Sequence, residues 1–239
     1  LNAGHGSPRR VRTDAGSIRP HVFNLVTGKG EPWASAGDGT YFDLRMHDYK
    51  KHKKKAPSAP HVYELAAADV FRRTKILHHV TSQVNLPPLD DADEANDTGL
   101  PRSFVLNVAI PAGAPSLMGN PDGDCYQLVL YFRATAAALR EWAATGGAGV
   151  RLFRRFVNEA AHSADIKERF KLLVKMENLK QLGKLGSQLE GYNGKPALIT
   201  KSGSLFQGAD YLEMGMNTFR FAFITRKGMN YFIPKLSEL

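Results

Sequence analysis

Two stretches of strict apolar alternation limit the fold of this chain more than any other feature. In SFVLNVAI the side chains of Phe104, Leu106, Val108 and Ile110 fall on one face, and in YQLVLYFR those of Tyr126, Leu128, Leu130 and Phe132 do the same. Successive side chains of an extended backbone point to opposite faces, so both segments read as strands. RFKLLVKME sets Phe170, Leu172, Val174 and Met176 against Lys171, Lys175 and Glu177, and YLEMGM sets Leu212, Met214 and Met216 opposite Tyr211 and Glu213. One dry face and one wet face is what an antiparallel sheet covered on one side requires.

Helical spacing appears in ATAAALREWAA and again in VRLFRRFVNEAAH, where Leu152, Phe153, Phe156 and Val157 form an apolar stripe beside Arg151, Arg154 and Arg155. A short helix is expected to start at a Ser163 cap in SADIKER. Strands and helices do not alternate regularly. The expected class is therefore α+β, a largely antiparallel sheet with helices packed on one face, rather than a doubly wound parallel sheet.

The first twenty residues are rich in Gly, Ser, Arg and Pro and poor in large apolar side chains, so residues 1–20 read as a flexible tail and 21–239 as a single domain. LPPLDDADEANDTGLP, from Leu86 to Pro101, combines prolines with clustered acids and reads as a long surface loop. No apolar run approaches the length of a membrane span, and no signal peptide is evident at the N-terminus. Cys125 is the sole cysteine, which leaves no intrachain disulfide and fits a reducing, cytoplasmic setting with peripheral membrane contact.

Motifs for chemistry are mostly absent. GYNGKPALIT has Gly194 and Lys195, but Leu189 and Pro196 stand where a phosphate loop needs Gly and Ser or Thr. NPDGDC and DDADEAND lack the Gly and Glu of a calcium loop, and read as solvated acidic loops. His78 and His79 are adjacent and point to opposite faces of an extended segment, a poor arrangement for one metal. Cys125 opens a strand and reads as a buried apolar cysteine. The expectation is a protein without catalytic residues, metal or cofactor.

The formal charge of +9 and sequence pI of about 9.6 favour anionic partners. Much of the charge is concentrated in HDYKKHKKKAPSAP, where Lys50, Lys51, Lys53, Lys54 and Lys55 fall within six residues. Near an anionic bilayer each lysine contributes about 1 kcal/mol. A solvated turn between strands and a localisation or nucleic-acid patch are the other readings of the run. Nucleic-acid readers interleave aromatics that stack on bases, and only Tyr49 stands at the margin here, which disfavours nucleic acid.

From Trp33 onward the order of phrases resembles the C-terminal domain of the plant enhanced disease resistance two protein family. PWASAGDGTYFDLRMHDYKKHKKKAPSAPHVYELAAADVF is similar to the family's opening phrase, with Trp33, Arg45, Tyr49, Lys55 and Asp69 at the matching positions. FVLNVAIPAG and YQLVLYFRA, then RFVNE and RFKLLVKMEN with Arg169 and Phe170, resemble its middle phrases. KPALITKSGSL and DYLEMGMNT, with Tyr211 and Glu213, look like its later ones. Met46 stands where the family has Gly, and APSLMGNPDGD and TAAALREWAATGGAG lengthen two loops. The family pattern continues into an apolar strand after the phrase that PKLSEL matches, so that strand lies beyond this sequence or is absent.

The family domain is often found with pleckstrin-homology and START lipid-transfer domains, so the resemblance implies a peripheral, lipid-associated regulator and carries over no catalytic residues. The expected partner is an anionic phospholipid such as a phosphoinositide, bound by Lys50, Lys51, Lys53, Lys54 and Lys55 with Arg72 and Arg73, or a hydrophobic lipid ligand held among the Met and Phe side chains. A protein-interaction or scaffold role is the alternative.

Overall fold

The computed structural model describes residues 10–14, 39–87, 99–117, 121–144, 146–176 and 179–233. In chain order its first elements are β1 (Arg10–Asp14), β2 (Asp43–Arg45), α1 (Tyr49–His52), β3 (Lys55–Pro57), β4 (Tyr63–Arg73), β5 (Ser103–Pro111) and β6 (Cys125–Ala134). There follow α2 (Ala136–Ala143), α3 (Ala148–Glu159), α4 (Ala164–Lys167), β7 (Lys171–Leu173), α5 (Gly183–Glu190), β8 (Pro196–Leu198), β9 (Gly203–Gln207), β10 (Tyr211–Asn217) and α6 (Phe223–Phe232). The class is α+β.

The two alternating segments become the centre of a six-stranded sheet with order β1-β4-β6-β5-β10-β9. β5 and β6 pair antiparallel, with Leu106 opposite Leu130 and Val108 opposite Leu128. β10 runs parallel to β5, and the remaining pairs in the sheet are antiparallel. Two further two-stranded sheets, β2–β3 and β7–β8, stand apart from it.

One sheet face carries Leu106, Val108, Ile110, Tyr126, Leu212, Met214 and Met216. These join Leu139 and Trp142 of α2, Phe156 and Val157 of α3, and Ile166 of α4 in one core cluster. Thr135 caps α2 by accepting from the Ala138 N–H at 3.1 Å, and Ser163 caps α4 as its sequence predicts. Aromatic rings bind the layers together: Phe104 lies 6.0 Å from Phe170, which lies 6.1 Å from Phe156.

The second face departs from the expected wet surface. Ala67, Val105, Val129 and Tyr131 are covered by Leu77, Val80, Val84 and Leu86 of an irregular segment that follows β4. β5 and β10 are therefore buried on both sides, and Glu213, expected to face water, is 0% exposed. Alternation alone does not distinguish a polar side chain facing solvent from one serving as acceptor to a covering segment.

Other expectations shift as well. Arg10–Asp14, inside the stretch expected to be a flexible tail, forms the edge strand β1, with Arg12 opposite Asp69 in β4. Backbone pairing to a long strand orders a segment whose composition gives little reason to fold alone. Among the described residues of RFKLLVKME only Lys171–Leu173 is strand, paired with β8 outside the main sheet, and Val174 is 52% exposed. Leu152, expected in the apolar stripe of α3, is 56% exposed, because the buried side of that helix is set by Phe156 and Val157. In the expected loop Leu86–Pro101, Leu100 is buried, and residues 88–98 lie outside the described residues.

Candidate functional site

The lysine run folds as a compact hairpin. β2 and β3 pair antiparallel with Arg45 opposite Lys55, and α1 bridges them. Lys53 ends α1 in a left-handed conformation, φ 53°, and its N–H donates to the Tyr49 carbonyl at 2.8 Å. Arg45 lies over the Tyr49 ring at 4.6 Å, and the Lys53 ammonium is 5.6 Å from the same ring. Tyr49 thus organises the turn. All five lysines are exposed, and none forms an ion pair among the described residues. Beside them Leu44 and Met46 are 40% and 47% exposed.

Arg72 and Arg73 stand on a different element from the lysine turn. They end β4, whose first residue, Tyr63, follows the turn, so they lie about 30 Å from Tyr63 at roughly 3.3 Å per residue. Arg72 is bound to Asp124 at 2.7 Å and lies over the Tyr126 ring at 4.7 Å.

The second sheet face holds a buried polar network built on Glu213. Its carboxylate accepts from the Val80 N–H at 3.0 Å, from the Thr81 N–H at 2.9 Å, from the Thr81 hydroxyl at 2.7 Å and from the Asn107 amide at 2.8 Å. Asn107 also donates to the Leu77 carbonyl and accepts from Gln127, while Gln127 accepts from the Leu77 N–H at 3.1 Å. The covering segment has no sheet partner for these backbone groups, and side chains from three strands supply the acceptors and donors instead. His79 continues the attachment: its ring stacks on Phe206 at 4.3 Å and bonds the Tyr211 hydroxyl at 2.9 Å.

Two groups, Cys125 next to the network and Tyr63 in the core on the other face, are held protonated. Burial pushes the Cys125 thiol up to about 12, aided by Asp122 and Asp124 and opposed by Arg73 and Arg72. Burial, with Asp210 nearby, also raises the Tyr63 phenol, whose hydroxyl donates to the Pro101 carbonyl at 2.7 Å. A thiol held so high is poorly suited to act as a nucleophile.

Residues 33–239 match the family described as Protein ENHANCED DISEASE RESISTANCE 2, C-terminal. The chain belongs to this family. No curated protein and no solved structure matches it.

The positions that carry the resemblance to the enhanced disease resistance family fall into separate structural groups. Arg45 and Tyr49 shape the lysine turn. Asp69, 0% exposed, accepts from the Tyr131 hydroxyl at 2.9 Å. Phe170 is a core ring, while Arg169 pairs with Asp165 on the surface at 3.2 Å. Tyr211 and Glu213 fasten the covering segment. Trp33 lies outside the described residues. His79, Thr81, Asn107 and Gln127, absent from the sequence-based candidates, are brought to Glu213 and Tyr211 by the tertiary fold. Among the described residues no group of three or more His, Cys, Asp or Glu is arranged to hold a metal, and no helix is long and apolar enough to cross a membrane.

Proposed function

We propose that this domain is a non-enzymatic, lipid-associated regulatory module that docks peripherally on anionic membranes through its lysine turn. The observation that carries the reading is the pairing of five exposed lysines, free of ion pairs among the described residues, with exposed Leu44 and Met46 on the same hairpin. Lysines contribute about 1 kcal/mol each at an anionic surface, and shallow apolar insertion adds a second, salt-insensitive contribution. At physiological salt the two act together, because screening weakens the lysine attraction alone.

Co-sedimentation with neutral, phosphatidylserine and phosphoinositide vesicles tests the proposal at low and physiological salt. Binding to anionic vesicles that survives physiological salt and is lost when Lys53, Lys54 and Lys55 become Glu is the expected result. Absence of binding to every vesicle removes the membrane role. A second reading, docking of a protein partner, rests on α6, where Phe223, Ile224 and Tyr231 are 36%, 61% and 42% exposed. Partner binding that persists after lysine reversal and fails when Ile224 becomes Ser supports that alternative.

A further inference from the structure

The covering segment does not seal the second sheet face completely. Next to the Glu213 network it leaves a pocket of about 230 Å³, floored by β6, β5, β10 and β9 and rimmed by Lys201 and Arg220. That is many times the room one ordered water needs, and below the size of most drug-like sites. Gly215 in the floor lets the Ser204 hydroxyl of the paired strand lie against it, where a Cβ would collide with that oxygen.

The chemistry of the lining is one-sided. Among the described residues no Asp or Glu lines the pocket, and Glu213 beside it is already occupied by four donors. Asn107 and Asn217 use their amides within the protein, Asn217 by donating to the Pro121 carbonyl and accepting from the Phe219 N–H. What remains are side-chain donors and two hydroxyls, with the His78 backbone carbonyl facing Gly215. Gln127, 1% exposed, has given one amide hydrogen to Asn107 and retains the other. Among the described residues the Ser202 and Ser204 hydroxyls have no hydrogen-bond partner, and Arg220 gives one N–H to the Lys201 carbonyl and keeps the rest of its guanidinium. Two cationic side chains, two hydroxyls and a buried amide thus line one pocket, with no carboxylate among the described lining residues.

We propose that this pocket binds a small phosphate monoester, its phosphate held by Arg220 and Lys201 and its remaining atoms directed toward Gln127, Ser202 and Ser204. Arg and Lys donors form charge-assisted hydrogen bonds to phosphate oxygens, and the hydroxyls serve a polyol portion as donor or acceptor. An acyl chain would leave these polar groups unsatisfied. The site is independent of the lysine turn.

Calorimetric titration with glycerol 3-phosphate, inorganic phosphate and glycerol tests the assignment. Both phosphate probes are expected to bind, the ester more tightly, and neutral glycerol is expected not to. Lys201→Gln and Arg220→Gln should each weaken glycerol 3-phosphate binding about tenfold, as expected for loss of one charged hydrogen bond. Both residues are exposed, and an unchanged urea midpoint checks that the variants fold. Ser204→Ala should weaken the ester more than inorganic phosphate. Vesicles containing phosphatidic acid, tested on the Lys53→Glu, Lys54→Glu, Lys55→Glu background, identify the source of the phosphate. Capture that depends on Lys201 and Arg220 assigns it to a lipid headgroup, whereas glycerol 3-phosphate binding without such capture assigns it to a soluble ester. Failure of every phosphate probe to bind, or binding indifferent to both cation substitutions, overturns the proposal.

Discussion

The Asn107 amide and the Glu213 carboxylate meet at 2.8 Å across the parallel pair β5–β10, and Asn107 also reaches the Leu77 carbonyl at 2.9 Å. One amide therefore ties the sheet, its buried acid and the segment above them. The charge of Glu213 is kept from water but surrounded by donors, the condition under which a buried carboxylate is tolerated.

Replacing Glu213 by Ala strands the Val80 and Thr81 N–H groups and the Asn107 amide in a buried site. A loss of about 3–5 kcal/mol is expected, measured as a lower urea midpoint, and the segment from Leu77 to Leu86 should lose amide-exchange protection first. Glu213→Gln preserves shape but turns an NH₂ group toward donors, so a loss of about 2 kcal/mol is expected. A wild-type midpoint for Glu213→Ala would show that the network does not hold the cover.

Tyr131→Phe offers a narrower test of the same face. It removes the hydroxyl that donates to Asp69 at 2.9 Å, where the two residues are 1% and 0% exposed. About 1–3 kcal/mol of stability should be lost, with no effect on vesicle binding. Reduced vesicle binding at unchanged stability would contradict the separation of this face from the lysine turn.

The central strands were legible in the sequence because Leu106, Leu128 and their neighbours repeat with a period that only a sheet satisfies, and the start of α4 was legible in its Ser163 cap. The membership of the chain was legible in the order of its phrases. The role of Glu213 was not, since alternation assigns a side chain to a face but says nothing of what covers that face. The phosphate-sized pocket was less legible still: Gln127, Ser204, Gly215 and Arg220 come from three strands and a turn, and none stands in a recognisable spacing with another. Arg72 and Arg73 were grouped with the lysines by charge; they end β4 at the opposite end from Tyr63, and Arg72 pairs with Asp124.

Alkaline pH should destabilise the fold through Cys125. Its folded pKa, raised to about 12 from 9.0, means that the unfolded thiol ionises first. The stability it contributes is complete below about pH 9 and is lost as pH rises toward about 12, with a limiting slope of about 1.4 kcal/mol per unit. The raised Tyr63 phenol adds a loss of the same sign above its ordinary 10.0. Urea midpoints between pH 8 and 10.5 should therefore fall, and Cys125→Ala should flatten the fall between 9 and 10. An equal slope in that variant would assign the effect to other groups.

The lysine turn predicts a division between salt-sensitive and salt-insensitive binding. Lysine attraction to an anionic bilayer is screened as ionic strength rises, whereas burial of Leu44 and Met46 in the interface is not. Leu44→Ser with Met46→Ser should leave binding to phosphatidylserine vesicles nearly intact at low salt and reduce it about tenfold at physiological salt. Because both side chains are already 40% and 47% exposed, the urea midpoint should barely move. The charge reversals at Lys53, Lys54 and Lys55 should instead abolish binding at both salt concentrations. Equal loss from the apolar pair at low and physiological salt would mean that Leu44 and Met46 position the lysines rather than enter the membrane.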